Sequence, residues 1–152
     1  PGLDASRPKY VCEVGLPPWQ ALDLRKELDE FYIVYAKRPG GNNAGGGAFF
    51  HYFALWCTIR SLKPSVVIES GIFNGVGSWF IRQAAGGIPL IFVSPEDPKV
   101  YLDKQRDTLY FTSEGFRDFA KIDWDEVMPS RQIRSRALIF FDDHQDGTRR
   151  VS

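Results

Sequence analysis

Residues 66–79 read VVIESGIFNGVGSW, and this stretch decides the fold. It opens with VVI, a short β-branched run that is typical of a central parallel strand buried on both faces. Three glycines follow, Gly71, Gly75 and Gly77, and a helix is predicted over residues 78–85. A buried strand, a glycine turn and a helix start, in this order, form the first unit of many nucleotide-cofactor domains.

Outward from this unit, the chain alternates strand patterns with helical ones. Two helices are predicted before it: one stopped by Pro39, and a second over residues 48–62 that is apolar on most sides. After it, strands are predicted at 90–93, 109–112 and 137–141, with a helix at 98–107 and irregular helical turns at 116–128. This order predicts an α/β fold: a Rossmann-like parallel sheet of about four strands with flanking helices, preceded by two helices.

A glycine-rich segment, residues 40–47 with the sequence GGNNAGGG, separates the two predicted N-terminal helices. So many glycines cannot hold regular structure. The segment is either a linker between the helices or a mobile flap beside a ligand. We therefore divide the chain into an N-terminal helical extension with this loop, residues 1–47, and a Rossmann-like domain, residues 48–152.

Charge and hydropathy exclude two classes of partner. The chain carries 19 basic and 19 acidic residues, and binding to nucleic-acid phosphates or anionic lipid needs a basic excess. Its best apolar run, residues 48–59, is too short to span a bilayer and is interrupted by His51, which we expect to be a core histidine. We therefore expect no nucleic-acid partner and no membrane span.

The cysteines and the first residue bear on the compartment. Two cysteines are too few for a disulfide framework, and Cys57 in an apolar helical run is predicted to be a buried thiol. The chain begins with Pro1 rather than Met, so either a leader has been removed or the sequence is a fragment. With a leader removed, an intracellular and organellar location is the expectation.

Polar residues follow every predicted strand at one edge of the sheet. Ligands of open parallel sheets bind at the carboxyl ends of the strands. In this chain those ends carry Glu69-Ser70-Gly71, Ser94-Pro95-Glu96-Asp97, Thr112-Ser113-Glu114 and Asp142-Asp143-His144. The coincidence predicts a ligand site at this edge.

The first turn has the spacing G-x-x-x-G-x-G rather than the G-x-G-x-x-G of pyrophosphate binding. Glu69 precedes it and would repel a pyrophosphate but suits an ammonium group. The free amides at the following helix start suit a carboxylate. A ligand with both groups, such as the methionine part of S-adenosylmethionine, fits this field; the alternative is a tight turn without a ligand.

Two further acidic groups are candidates. Glu96 and Asp97 follow the second strand and could accept hydrogen bonds from ribose hydroxyls, or form a solvated acidic turn. Asp142 and Asp143 follow the fourth strand, where carboxylates bind hard cations such as Mg²⁺, polarise a substrate hydroxyl or cap the next helix. His144 could be a metal ligand or a base.

These motifs resemble a known family. Residues 45–79, GGGAFFHYFALWCTIRSLKPSVVIESGIFNGVGSW, resemble the entry helix and first motif of class I S-adenosylmethionine-dependent methyltransferases, closest to the catechol O-methyltransferase-like and cephalosporin-hydroxylase-like branches. Residues 137–146, ALIFFDDHQD, resemble their fourth-strand motif, in which an aspartate followed by histidine holds magnesium. The resemblance covers the chain from about Gly45 onward.

The resemblance implies O-methyl transfer to a small-molecule acceptor, with S-adenosylmethionine as cofactor and a divalent metal. The residues it implies are Glu69, Gly71, Phe73, Gly75, Gly77 or Ser78 at the methionine end, Glu96 or Asp97 at the ribose, Asp143 or Asp142 on the metal, and His144 in catalysis.

The sequence also departs from the family. The acid after the second strand is displaced, and residues 113–116 have no clear match to the adenine-contacting segment. The family sheet has seven strands, so we expect this chain to be truncated before the end of that sheet. An apolar fourth strand left at an edge needs cover. The alternative function is therefore a catalytically inactive accessory subunit of a larger complex, whose partners cover the exposed sheet edge.

Overall fold

The structure is a computed structural model that describes residues 21–41 and 46–142. Predictions for the middle of the glycine-rich segment, for Asp143 and for His144 lie outside the described residues. The elements are α1 (Leu24–Ala36), α2 (Phe49–Leu62), β1 (Val66–Ser70), α3 (Val76–Ala85), β2 (Leu90–Val93), β3 (Thr108–Phe111), α4 (Trp124–Val127), α5 (Arg131–Arg134) and β4 (Ala137–Phe141), with 3₁₀ turns at Ser113–Gly115 and Phe119–Lys121.

The four strands form one parallel sheet in the order β3-β2-β1-β4. The central strand β1 pairs Ser70 with Val93 of β2 on one side and with Phe141 of β4 on the other. The chain builds outward from β1 through β2 to β3 and then returns to place β4 on the opposite side. The predicted Rossmann-like arrangement is confirmed, and its switch point lies between β1 and β4, where such sheets bind ligands.

Alternation along the strands gives the centre of the sheet two buried faces. Val67, Leu90 and Phe92 pack against α2 and α3 on one face. Val66, Ile68 and Ile91 pack on the other face against Phe119, Met128 and the short helical turns around them. Because both faces are covered, all five residues of β1 are buried, as expected for a central parallel strand.

Helix α1 is fixed to α2 by one aromatic side chain and one buried carboxylate. Phe31 is fully buried among aromatic rings of α2 and α3. Glu27 accepts hydrogen bonds from Trp56 Nε1 at 2.8 Å and from Arg60 Nε at 2.6 Å. The paired charge of Glu27 is therefore compatible with its burial.

Two sequence predictions are wrong. Residues 98–107 form an irregular segment rather than a helix, because several of their polar groups bond to α3 and to the glycine turn. His51 is exposed rather than a core residue, and its Nδ1 accepts a hydrogen bond from the Ala48 amide at 3.1 Å, so it caps the start of α2.

Two further findings concern Cys57 and the membrane. The Cys57 side chain is buried, as predicted, and burial raises the pKa of its thiol to about 11. Within residues 21–41 and 46–142, no helix combines the length and the apolar character that a bilayer span requires.

Candidate functional site

The glycine turn joins β1 to α3 at the carboxyl edge of the sheet. Gly71 and Gly75 have φ values of 96° and 83°, a left-handed backbone that glycine adopts without strain. Phe73 lies between them at φ 44°, which is uncommon for a residue with a side chain. A Cβ atom on Gly75 would lie 2.1 Å from the carbonyl oxygen of Tyr101, so glycine is required here for space as well as for conformation.

Helix α3 starts at this turn with Gly75 as its N-cap residue, and no side chain of the described residues caps it. The first amides of a helix have no partner within the helix and carry the positive end of its dipole. The start of α3 is therefore suited to an anionic group such as a carboxylate.

Glu69 lies beneath the turn and is only 1% exposed. Ser78 Oγ donates a hydrogen bond to its Oε2 at 2.5 Å, and a Cβ atom on Gly77 would lie 2.5 Å from its Oε1. Burial raises the pKa of Glu69 to about 8; the Ser78 hydrogen bond opposes this shift and the charge of Asp142 adds to it. Glu69 thus joins β1 to α3 from inside the fold.

A cavity of about 300 Å³ lies between the turn and the end of β2. Phe73 and Asn74 line it on the turn side, and Ser94, Pro95, Glu96 and Lys99 line it on the other. Glu96 forms a solvent-exposed ion pair with Lys99 at 3.4 Å. The structure therefore brings Phe73 and Glu96, two of the predicted cofactor residues, to the same cavity.

Asp97 is not one of the residues that line this cavity. Its carboxylate accepts hydrogen bonds from Thr112 Oγ1 and, at 2.8 Å, from Ser113 Oγ. These two hydrogen bonds lower the pKa of Asp97. In this structure Asp97 links the loop after β2 to the loop after β3, whereas Glu96 has the better position for a ribose.

A second cavity, of about 460 Å³, lies between α2 and β4 and is mainly apolar. Leu55, Leu138 and Phe140 form part of its apolar wall, while His51 and Asp142 lie among its polar residues. The Asp142 amide donates to the Ser70 carbonyl at 2.8 Å, which fixes Asp142 beside the end of β1. Asp142 is thus next to the predicted site.

Sequence reasoning missed two residues of this second cavity, His51 and Tyr52. Tyr52 Oη accepts a hydrogen bond from the Gly47 amide at 3.0 Å, and its ring lies close to Gly77. The available signal was their position at the first turn of the helix that leads into β1. Residues there return to the carboxyl edge of the sheet, because α2 and β1 run in opposite directions.

The described residues do not form a metal centre by themselves. Across residues 21–41 and 46–142, no three His, Cys, Asp or Glu side chains lie close enough to hold a metal ion. Of the predicted ligands, Asp142 is described, whereas Asp143 and the neighbouring His144 lie outside the described residues. Since magnesium takes about six oxygen ligands, one carboxylate does not define its site, and the metal stays a prediction from the resemblance.

The largest of the cavities we consider, of about 550 Å³, lies at the opposite edge of the sheet. Pro64 and Ile88, which precede β1 and β2, help to line it. Arg60 in its wall is already paired with Glu27 and Glu30. The cavity lies at the amino ends of the strands, and the charge of its arginine is already neutralised. It is therefore a weaker candidate for the cofactor than the carboxyl edge.

Comparisons of the chain with models of known protein families, with characterised proteins and with solved structures find no match. The fold and the geometry of the carboxyl edge are therefore the observations on which a function can be proposed.

Proposed function

We propose that the chain is an S-adenosylmethionine-dependent methyltransferase-like protein that binds its cofactor at the carboxyl edge of β1 and β2. One observation carries the proposal: Asn74, which lines the cavity together with Phe73 and Glu96, directly precedes Gly75, the N-cap residue of α3. This arrangement offers helix amides to an anionic group and a carboxylate to hydroxyl groups at neighbouring positions.

The carboxylate and the adenosine part of the cofactor each have a proposed contact. The α3 start would take the methionine carboxylate, and Glu96 would accept hydrogen bonds from the ribose hydroxyls. Phe73, 56% exposed, would pack against the adenosine. Glu69 and Ser78 would support the turn from beneath rather than touch the ligand, because both are buried.

The reaction we propose is transfer of a methyl group to a hydroxyl oxygen of a small-molecule acceptor, as the resemblance implies. S-adenosylmethionine supplies an activated methyl group, and transfer needs the acceptor oxygen held in line with it. Asp142 lies at the switch point beside the apolar cavity between α2 and β4, which is suited to hold an acceptor there. Magnesium at Asp142 and Asp143, and a catalytic role for His144, are further parts of this proposal.

Calorimetric titration of the folded chain with S-adenosylmethionine tests the proposal. We expect a saturable signal that Gly75→Ala abolishes, because the new methyl group would collide with the Tyr101 carbonyl. Gly87→Ala is the matched control, since a Cβ there meets no atom within 4 Å. Glu96→Gln alters an exposed side chain and should weaken binding by about tenfold without unfolding the protein.

The absence of binding to the folded chain up to millimolar cofactor would contradict the proposal. A signal that survives Gly75→Ala and Glu96→Gln in folded protein would show that the ligand binds elsewhere.

A second candidate function is favoured by the edge of the sheet. Strand β4 is an edge strand of the described sheet, and Ile139 on it is 43% exposed. Open apolar edges invite pairing with another chain. We propose as the alternative an inactive accessory subunit whose partner covers β4. It predicts no cofactor binding and a stable complex in native extracts that Ile139→Lys weakens.

A further inference from the structure

Residues 98–107, which we call the strap, cross the outside of the glycine turn. The amides of Val100 and Tyr101 both donate to the Asn74 carbonyl at 3.1 Å. The Tyr101 carbonyl occupies the space beside Gly75 that a side chain would otherwise fill. Lys99 of the strap also lines the cavity beside Phe73. The strap therefore forms part of the cavity wall and contacts the turn.

The other end of the strap is held by Arg82 of α3, which is 8% exposed. Its Nε donates to Asp103 at 2.6 Å. One terminal nitrogen donates to the carbonyl oxygens of Gly86 and, at 3.0 Å, Ile88. The other donates to Asp107 at 3.0 Å and to Thr108 Oγ1 at 2.9 Å. All five N–H groups of the guanidinium are thus used, a geometry that lysine cannot reproduce.

Asp103 is the matching buried group on the strap and is 5% exposed. Besides Arg82, its carboxylate accepts from Thr108 Oγ1 at 3.0 Å and from the Gln105 amide at 3.2 Å. Removing one partner of such a pair leaves a buried charge without compensation. The strap has no helix of its own. This pair, the Asn74 contacts and a hydrogen bond from the Asp103 amide to Tyr110 Oη at 2.8 Å help to hold it in place.

We infer that Arg82 is a positioning residue for the cavity. By holding Asp103 it fixes the strap, and the strap in turn fixes the glycine turn and the position of Lys99 in the cavity wall. Arg82 does not line the cavity, so its effect on a ligand there is indirect. The identity of the ligand rests on the proposed function, whereas the mechanical link from Arg82 to the turn does not. A residue without ligand contact can still change ligand affinity in this way.

Hydrogen exchange in the free protein tests the link without any ligand. In Arg82→Lys, we expect the Val100 and Tyr101 amides to exchange at least tenfold faster, while amides of β1 keep their protection. The matched control is Arg60→Lys, which weakens another partly buried ion pair, that of Glu27, without touching the strap. If Arg82→Lys does not fold, Asp103→Asn removes the charge of the other partner while keeping the shape of its side chain. Exchange of the Val100 and Tyr101 amides is then measured in that variant.

Titration with S-adenosylmethionine is the second arm. Arg82→Lys or Asp103→Asn should raise the dissociation constant by about tenfold, while Arg60→Lys leaves it unchanged. Unchanged strap exchange, or equal effects of the Arg82 and Arg60 variants on exchange and affinity, would overturn the inference and leave Arg82 with a purely structural role. If the wild-type chain does not bind the cofactor, the proposed function fails, and the exchange arm still decides the inference.

Discussion

Replacing Glu69 by Gln should change how the stability of the fold depends on pH. Glu69 is buried beneath the glycine turn, and burial raises its pKa from 4.5 to about 8. Between pH 4.5 and about pH 8, Glu69 keeps its proton in the folded protein, whereas it has released this proton in the unfolded chain. The unfolded state therefore binds fewer protons, and the free energy of unfolding falls as pH rises.

The size of the effect follows from the same linkage. One bound proton changes the free energy of unfolding by about 1 kcal/mol for each pH unit. From pH 5 to pH 8, Glu69 should therefore remove a few kcal/mol of stability, and the loss should level off above its folded pKa. Glu69→Gln keeps the shape and the oxygen that accepts from Ser78, but it has no proton to release.

Denaturant unfolding followed from pH 5 to pH 9 measures this contribution. We expect the slope of stability against pH to be less negative in Glu69→Gln than in the wild type by about 1 kcal/mol per pH unit. Glu96→Gln, which removes a 77% exposed carboxylate, is the control and should leave the slope as it is. Parallel curves for wild type and Glu69→Gln would refute the reasoning, because Glu69 would then ionise alike in both states.

Two further predictions concern the interior. Gly77→Ala should destabilise the fold by up to about 2 kcal/mol in thermal or denaturant unfolding, because overpacking against Glu69 outweighs the gain in helix propensity. The control Gly87→Ala should change the stability by no more than about 0.5 kcal/mol. Equal stabilities of the two variants would contradict this prediction. In a Cys12→Ser background, Cys57 should react with a thiol reagent at pH 8 only as fast as the protein opens, and rapid reaction of the folded protein would contradict its burial and raised pKa.

The sheet could be predicted from sequence because its strands are locally encoded. The strands over 90–93 and 137–141 are found with their predicted bounds, and the third strand is found one residue earlier, at Thr108–Phe111. Each is an apolar run bounded by polar residues or prolines, so the pattern is contained within the element itself. Helix α3 begins two residues before the prediction, because Gly75 rather than Gly77 is its cap.

The strap could not be predicted because its structure depends on distant partners. Residues 98–107 carry charges at spacings that a helix could accommodate, but Asp103 pairs with Arg82, twenty-one residues away in the sequence. For His51, by contrast, a local signal was present: it lies in the first turn of the helix predicted from residue 48, where a side chain can cap the helix. At the site, the turn and Glu96 could be located from strand ends, whereas the pairing of Asp97 with Thr112 required the fold.

The central claim is that the turn after β1 binds S-adenosylmethionine, and amide shifts in an NMR titration test it most directly. Saturable shifts should centre on Gly71, Phe73 and Gly77 and extend to Glu96, with little change at Ile88 in the cavity at the opposite edge. Shifts confined to the region of Ile88, or none at saturating cofactor in a folded chain, would contradict the claim.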